Sequence, residues 1–178
     1  MKKRTLPLGH VYQMLEPGPV VLLTTTHAGK ANIMTLSWHM MMEFEPPLIG
    51  CVISGRNHSF EMLRKSRECV INIPSVELAD KVVGCGNTSG RNIDKFAGFG
   101  LTAMPAARVA APLIDECHAN LECRIADTRM VNAYNMFVLE VCQAWIGTPR
   151  RDWHTLHHQG MGAFMTAGDT LKLPSRMK

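Results

Sequence analysis

Residues 19–38 read PVVLLTTTHAGKANIMTLSW, two β-branched, apolar arms on either side of a glycine-bearing break. Val, Ile and Thr are stiff at χ1 and pack well on a pleated surface, so both arms favour extended chain. The HAGKA segment (27–31) supplies the reversal that a hairpin needs. The same grammar recurs along the chain. LIGCVIS (48–54) follows an EPP interruption and reads as a short buried strand, and ECVINIP (68–74) returns to strand. HANLECRIA (118–126) alternates, with Ala119, Leu121, Cys123 and Ile125 on one face and Asn120, Glu122 and Arg124 on the other. NMFVLEVCQAWIG (135–147) is its expected antiparallel partner. Hairpin-scale turns, not regular strand–helix alternation, join most of these runs. That argues against a doubly wound parallel sheet and for a mainly β fold, an antiparallel β-barrel with short helices.

Three short helices are expected between the strands. SFEMLRKS (59–66) has Phe60, Leu63 and Met62 for a buried face, with Asn57 or Ser59 as its cap. VELADKVVG begins after a capping Ser75 and is expected to end at Gly84-Cys85-Gly86. A third lies around Asp94-Lys95-Phe96. LTAMPAARVAAPLI reads as an irregular edge segment, and the tail from Arg150 as a loop with a late strand. The Met run at 40–42 is expected to pack in the core. At 178 residues, 46% hydrophobic and 19% charged, the whole range 1–178 reads as a single globular domain.

Composition narrows the function classes. The net charge of +4 is spread out, with no dense basic run beyond MKKR, so no nucleic-acid partner is expected. No apolar run reaches bilayer length, and MKKRTLPLGH lacks the apolar core of a secretory signal, so a cytoplasmic protein with no membrane contact is expected. The six cysteines include no C-x-x-C pair and read as buried reduced thiols. No nucleophile elbow, P-loop or G-x-G-x-x-G stretch is present. His154, His157 and His158 have helical i, i+3, i+4 spacing, but no glutamate accompanies them and two glycines follow, so no metal site is expected. Without a catalytic nucleophile in the sequence, the profile is that of a protein whose bound cofactor carries the chemistry.

Two stretches offer polar groups for such a ligand. ISGRNHSFEMLRKS leaves a buried strand through Ser54, Arg56, Asn57, His58 and Ser59 into a helix. Unpaired amides at a helix start, a guanidinium and small polar side chains make a phosphate cradle, although simple capping of a surface helix explains the same residues. NTSGRNIDKF supplies a second turn, with Ser89, Gly90, Arg91 and Lys95, whose alternative reading is a solvated charged turn.

Taken together, the N-x-M-T-x-S-W block (32–38), the N-H-S-F-E block (57–61), the S-G-R-x-x-D-K-F block (89–96) and HHQGMGAFMTAG (157–168) stand in an order that resembles the flavin reductase-like family, and within it the flavoredoxin branch. The resemblance implies an FMN-binding split barrel working as a homodimer, with non-covalent FMN near the subunit interface. It implies that Asn32, Ile33, Met34, Thr35, Ser37 and Trp38 lie along the flavin ring and ribityl chain. Ser54, Arg56, Asn57, His58 and Ser59 are implied to hold the phosphate, Ser89, Gly90, Arg91 and Lys95 to approach the flavin, and Phe164 to lie near the ring. Lys95 is the first candidate for a cation beside the ring's N1 and C2 carbonyl, and Lys95→Ala is expected to leave the fold intact. The implied activity is FMN-dependent oxidoreduction between NAD(P)H or a redox protein and an acceptor. A non-catalytic flavin- or metal-binding module is the alternative.

Overall fold

The computed structural model describes residues 3–11, 18–148 and 153–174. The first two residues of the MKKR start and residues 150–152 of the tail lie outside that range. In chain order the elements are β1 (Arg4–Thr5), β2 (Val21–His27), β3 (Lys30–Leu36), β4 (His39–Phe44), β5 (Pro47–Val52), α1 (His58–Ser66), β6 (Glu68–Ile73) and α2 (Ala79–Asn87). They continue as α3 (Lys95–Phe99), β7 (Ala103–Met104), β8 (Leu113–Ile114), β9 (Ala119–Asp127), α4 (Val131–Tyr134), β10 (Met136–Ile146), β11 (Leu156–Gly160) and β12 (Ala163–Thr166).

Among the described residues, eight strands share one antiparallel sheet in the order β3-β2-β6-β9-β10-β5-β4, with β1 along β10. The two end strands, β3 and β4, are separated in sequence only by Ser37 and Trp38. The sheet therefore curls until its ends meet, which makes a barrel with a seam. Its interior is one apolar cluster drawn from six of the strands, with Leu23, Leu36, Ile49, Ile71, Leu121 and Leu139 among its members. Each such side chain contributes about 1.5–3 kcal/mol by leaving water. Helix α1 closes one opening with Phe60 and Leu63, and Phe60 meets Phe137 edge to face at 5.3 Å.

The β2–β3 hairpin turns where its sequence predicts, through Ala28 and Gly29, both at positive φ. β2 is apolar on both faces because both are covered. Val21 and Leu23 enter the barrel, while Val20 and Leu22 meet α2 and its neighbours outside. β9 and β10 pair antiparallel as expected, with two register shifts.

Several local expectations change. α2 runs through Gly84 and Gly86 to Asn87 instead of ending there. Those glycines serve close packing: a Cβ on Gly84 would sit 2.4 Å from the Phe99 ring, and one on Gly86 3.4 Å from Thr35. Ser75 precedes a 3₁₀ turn, not α2 itself, and makes no side-chain cap bond. The Met run belongs to β4, where Met41 packs on the core while Met40 and Met42 face outward. The 101–114 segment pairs β7 with β8 and lies over the barrel's outer face, burying Val70 beneath Ala111 and Leu113. All six cysteines are free, and five are buried. Among the described residues no helix is long and apolar enough to cross a membrane.

Candidate functional site

The end of the barrel carrying α1 has a polar cleft of about 280 Å³. Its floor is Asn32 on β3, and its walls are Arg56 to Ser59 at the start of α1 and the Cys85–Gly90 stretch that ends α2. Asn57 is the N-cap residue of α1, yet its side chain makes no capping hydrogen bond. That leaves the Asn57 amide, which lines the cleft, and the His58 and Ser59 N–H groups without a capping side chain at the start of a nine-residue helix. Ser59 is buried and its Oγ accepts from Asn32 Nδ2 at 2.8 Å.

Asn32 is only 4% exposed, and its Oδ1 has no hydrogen-bond partner among the described residues. A buried acceptor of this kind costs about 1–3 kcal/mol until something donates to it. Gly90 crosses directly above, where a Cβ would lie 1.9 Å from that oxygen. Gly90→Ala must therefore displace a buried, hydrogen-bonded amide. The expected result is a loss of about 1–3 kcal/mol in urea unfolding; an unchanged midpoint would show that the two segments are not in contact.

Lys95 opens α3 beneath this cleft. Its Nζ donates to the Ile33 carbonyl at 2.7 Å and the Cys85 carbonyl at 2.6 Å, and the side chain is 5% exposed. α3 starts there because the Asp94 carboxylate caps it, accepting from the Phe96 and Ala97 N–H groups. Burial draws the Lys95 amine below the usual lysine range, with the Cys85 thiol opposing. Burial pushes the Cys85 thiol up to about 11, against the pull of Lys95, so it stays protonated at neutral pH and is no nucleophile. His58 is held below its usual range by burial and then by the positive charges of Arg91 and Lys95. The cleft therefore gathers cationic groups with no carboxylate among its lining residues, a field that suits an anion.

Two further clefts adjoin it along β3. One, of about 430 Å³, lies at the seam between Met34, Trp38, Val52, Ser54 and Tyr134. The other, of about 290 Å³, lies between α2 and the β11–β12 hairpin, against Val82, Val83, His158 and Phe164. Thr35 lines all three. Its hydroxyl donates to the Val82 carbonyl at 2.6 Å, tying β3 to α2 at the junction.

The structure thus brings Asn32, Met34, Thr35, Arg56, Asn57, His58, Ser59, Ser89, Gly90 and Lys95 to one cleft. Ser37, Trp38, Ser54 and Phe164 line its neighbours. Trp38 and Phe164 stand in different clefts, Trp38 at the seam and Phe164 beside α2. Ile33 differs from expectation: its side chain is core, packed with Val82 and Cys85, and only its carbonyl serves the site. Arg91 is exposed and acts through its charge on His58. Lys95 lies with the Arg56–Ser59 end and lines neither of the clefts holding Trp38 and Phe164. Missed by sequence reasoning were the last turn of α2, Tyr134 and His158. The close-set Gly84 and Gly86 were the available signal for the first, since small residues mark a close backbone approach. Among the described residues no group of three or more His, Cys, Asp or Glu is arranged to hold a metal ion. The three tail histidines are not on a helix, and in β11 His157 and His158 point to opposite faces.

A seamed antiparallel barrel with a polar groove beside the seam is the split-barrel architecture. Residues 14–164 match the model of the flavin reductase like domain, and the chain belongs to the flavin reductase-like family. The uncharacterised protein YddH of Escherichia coli is 31% identical, with 92% of this chain and 94% of YddH covered. A solved FMN-binding domain of a flavin reductase-like enzyme from Shewanella baltica superposes with a TM-score of 0.91 at 24% identity, covering 97% of this chain and 98% of that one. Flavoredoxin from Methanosarcina acetivorans superposes with a TM-score of 0.77 at 26% identity, with 89% of each chain covered.

Proposed function

We propose that the groove along β3 binds FMN and that the protein is an FMN-dependent oxidoreductase. The observation that carries this reading is the junction at Thr35 of one cationic cleft with two less polar ones. FMN has the matching layout: a charged phosphate, a hydroxylated chain and a flat, largely apolar ring. The unpartnered Asn32 Oδ1 and the close pass of Gly90 fit a site awaiting a polar ligand.

Arg56, Asn57 and Ser59 hold the phosphate, with the first-turn amides of α1 and the charges of Arg91 and Lys95 behind them. Asn32 accepts a hydroxyl of the linking chain. The ring lies at the Thr35–Trp38 end, where Trp38 and Tyr134 on one side and Phe164 on the other exclude water. Bound there, FMN would carry electrons between a reduced nicotinamide or a redox protein and an acceptor.

The second copy of a homodimer covers the seam. Trp38 is 71% and Tyr134 66% exposed, and Met40, Met42 and Phe44 continue the apolar surface along β4. A stripe of this kind on an edge strand normally finds a partner. Light scattering should report a dimer; a monomer that binds FMN at full affinity would separate the two readings.

The test is equilibrium dialysis with FMN and riboflavin. Ala at Arg56, Asn57 and Ser59 together should weaken FMN about 100-fold, since charge-assisted bonds contribute about 1.5–3 kcal/mol each. Riboflavin should change by less than about threefold, because it lacks the phosphate. Equal losses would remove those residues from a phosphate site. No binding of FMN to the native chain would overturn the function itself; where FMN binds, bleaching of the bound flavin by NADH, NADPH or a reduced iron–sulfur protein identifies the donor.

A further inference from the structure

We infer that His39 is the residue that positions the flavin ring: its imidazole braces the Ser37–Trp38 corner against the chain entering β2 and so sets how far the Trp38 wall stands from the β11–β12 hairpin. This deepens the FMN reading and rests on it.

The corner needs a brace. β3 ends at Leu36 and β4 begins at His39, so only Ser37 and Trp38 carry the chain from one end strand of the sheet to the other. Both residues line the proposed ring end: Ser37 lines the two clefts that flank it, and Trp38 lines the one at the seam. The Trp38 indole is mostly exposed, so packing within the chain does not fix it. Its place is set by the backbone on either side. Before the corner, Leu36 pairs with Val21. After it, the Val52 N–H donates to the Trp38 carbonyl at 2.9 Å, and His39 Nε2 lies 2.7 Å from the Pro19 carbonyl.

The His39 bond does what no ladder does. Among the described residues, strand pairing ties β4 to β5 alone, at one end of the sheet. Pro19 is buried just ahead of β2, at the other end, so the imidazole reaches across the seam. A carbonyl can only accept, so Nε2 carries the proton. Burial holds the imidazole below its usual range, against the pull of the Pro19 carbonyl, so the ring is neutral and Nδ1 bears no proton. Nδ1 is buried with no hydrogen-bond partner among the described residues, which leaves the Nε2 bond as the one that orients the ring.

The brace continues past Pro19. The next N–H, of Val20, donates to the Leu156 carbonyl at 2.7 Å, and Leu156 opens β11, whose hairpin carries Phe164. Val20 itself lines the cleft beside that hairpin. The Trp38 side of the ring position is therefore joined to the Phe164 side through two hydrogen bonds and the Pro19–Val20 peptide. Without the first bond the two walls can part, and a flat ring then loses close contact on one face.

His39→Leu and His39→Gln separate the brace from the bulk of the side chain. Leucine brings no donor, whereas glutamine keeps one. In equilibrium dialysis His39→Leu should weaken FMN and riboflavin alike, each about tenfold, and His39→Gln should stay within about threefold of native. The visible circular dichroism of bound FMN, which reports how the ring is held, should shrink in His39→Leu and persist in His39→Gln. Long-range proton–nitrogen NMR of the native protein at neutral pH should show the neutral ring protonated at Nε2, whether or not the variants fold. A ring protonated at Nδ1 overturns the brace. Native affinity and dichroism in His39→Leu, equal losses in the two variants, or a loss confined to FMN would each show that His39 does not place the ring, while the FMN reading stands. If FMN does not bind the native protein, both fall together.

Discussion

Replacing Lys95 by methionine should lower the stability by about 3 kcal/mol, because two buried carbonyls lose a charged donor at once. For a domain of this size that corresponds to about 6–12 °C in Tm. The carbonyls belong to Ile33 on β3 and Cys85 on α2, so Lys95 pins helix to sheet beneath the polar cleft. Methionine keeps the apolar stem, which isolates the loss of the amine from a loss of packing. FMN affinity should fall as well, since the walls of the cleft shift and one positive charge disappears. A Tm within a degree of the native value would mean that the two bonds contribute nothing. Lys95→Ala, expected from the sequence to leave the fold intact, would remove the same two bonds, and Lys95 stands with Arg56–Ser59, apart from the clefts of Trp38 and Phe164.

The second large effect is expected far from the groove. Glu122 is fully buried, and its carboxylate accepts from the Ala107 N–H at 3.0 Å, the Arg108 N–H at 2.6 Å and Trp145 Nε1 at 2.7 Å. These bonds hold the 105–111 stretch on the barrel's outer face, helped by Glu68, which accepts from the Ala110 N–H at 2.8 Å. Glu122→Gln keeps the shape but turns an NH₂ toward donors. A loss of about 3 kcal/mol follows, since several donors lose a charged acceptor. The stretch should also open locally, so trypsin should cut after Arg108 at least about tenfold faster. Unchanged cleavage with unchanged stability would refute the role given to this carboxylate.

These two residues show where the sequence was legible. Strand runs with a clear period were readable: the alternation of 118–126 placed Leu121 and Cys123 in the barrel, as observed. The opposite face was harder. Alternation put Asn120 and Glu122 on the other face, but nothing in their own strand reveals that 101–114 folds over them. The Met run read as strand-like and lies in β4, but three consecutive methionines erase the alternation that would separate the core-facing Met41 from the outward Met40 and Met42. The polar cleft was legible in its residue types, since Arg56, Asn57, Ser59, Ser89 and Gly90 are unusual together. Lys95 was found, but its partners are backbone carbonyls of segments 62 and 10 residues away. No side-chain pattern encodes a carbonyl's position, so its structural role could only appear with the fold.

That dependence on main-chain atoms has a wider meaning. The floor and rim of the groove are fixed by the carbonyls of Ile33, Cys85 and Val82, the opening turn of α1 and the bare backbone at Gly90. A pocket moulded this way can exchange much of its surrounding side-chain alphabet over evolutionary time and still present the same contour. New substrate preferences can then arise by repainting the walls of one compartment, without rebuilding the frame.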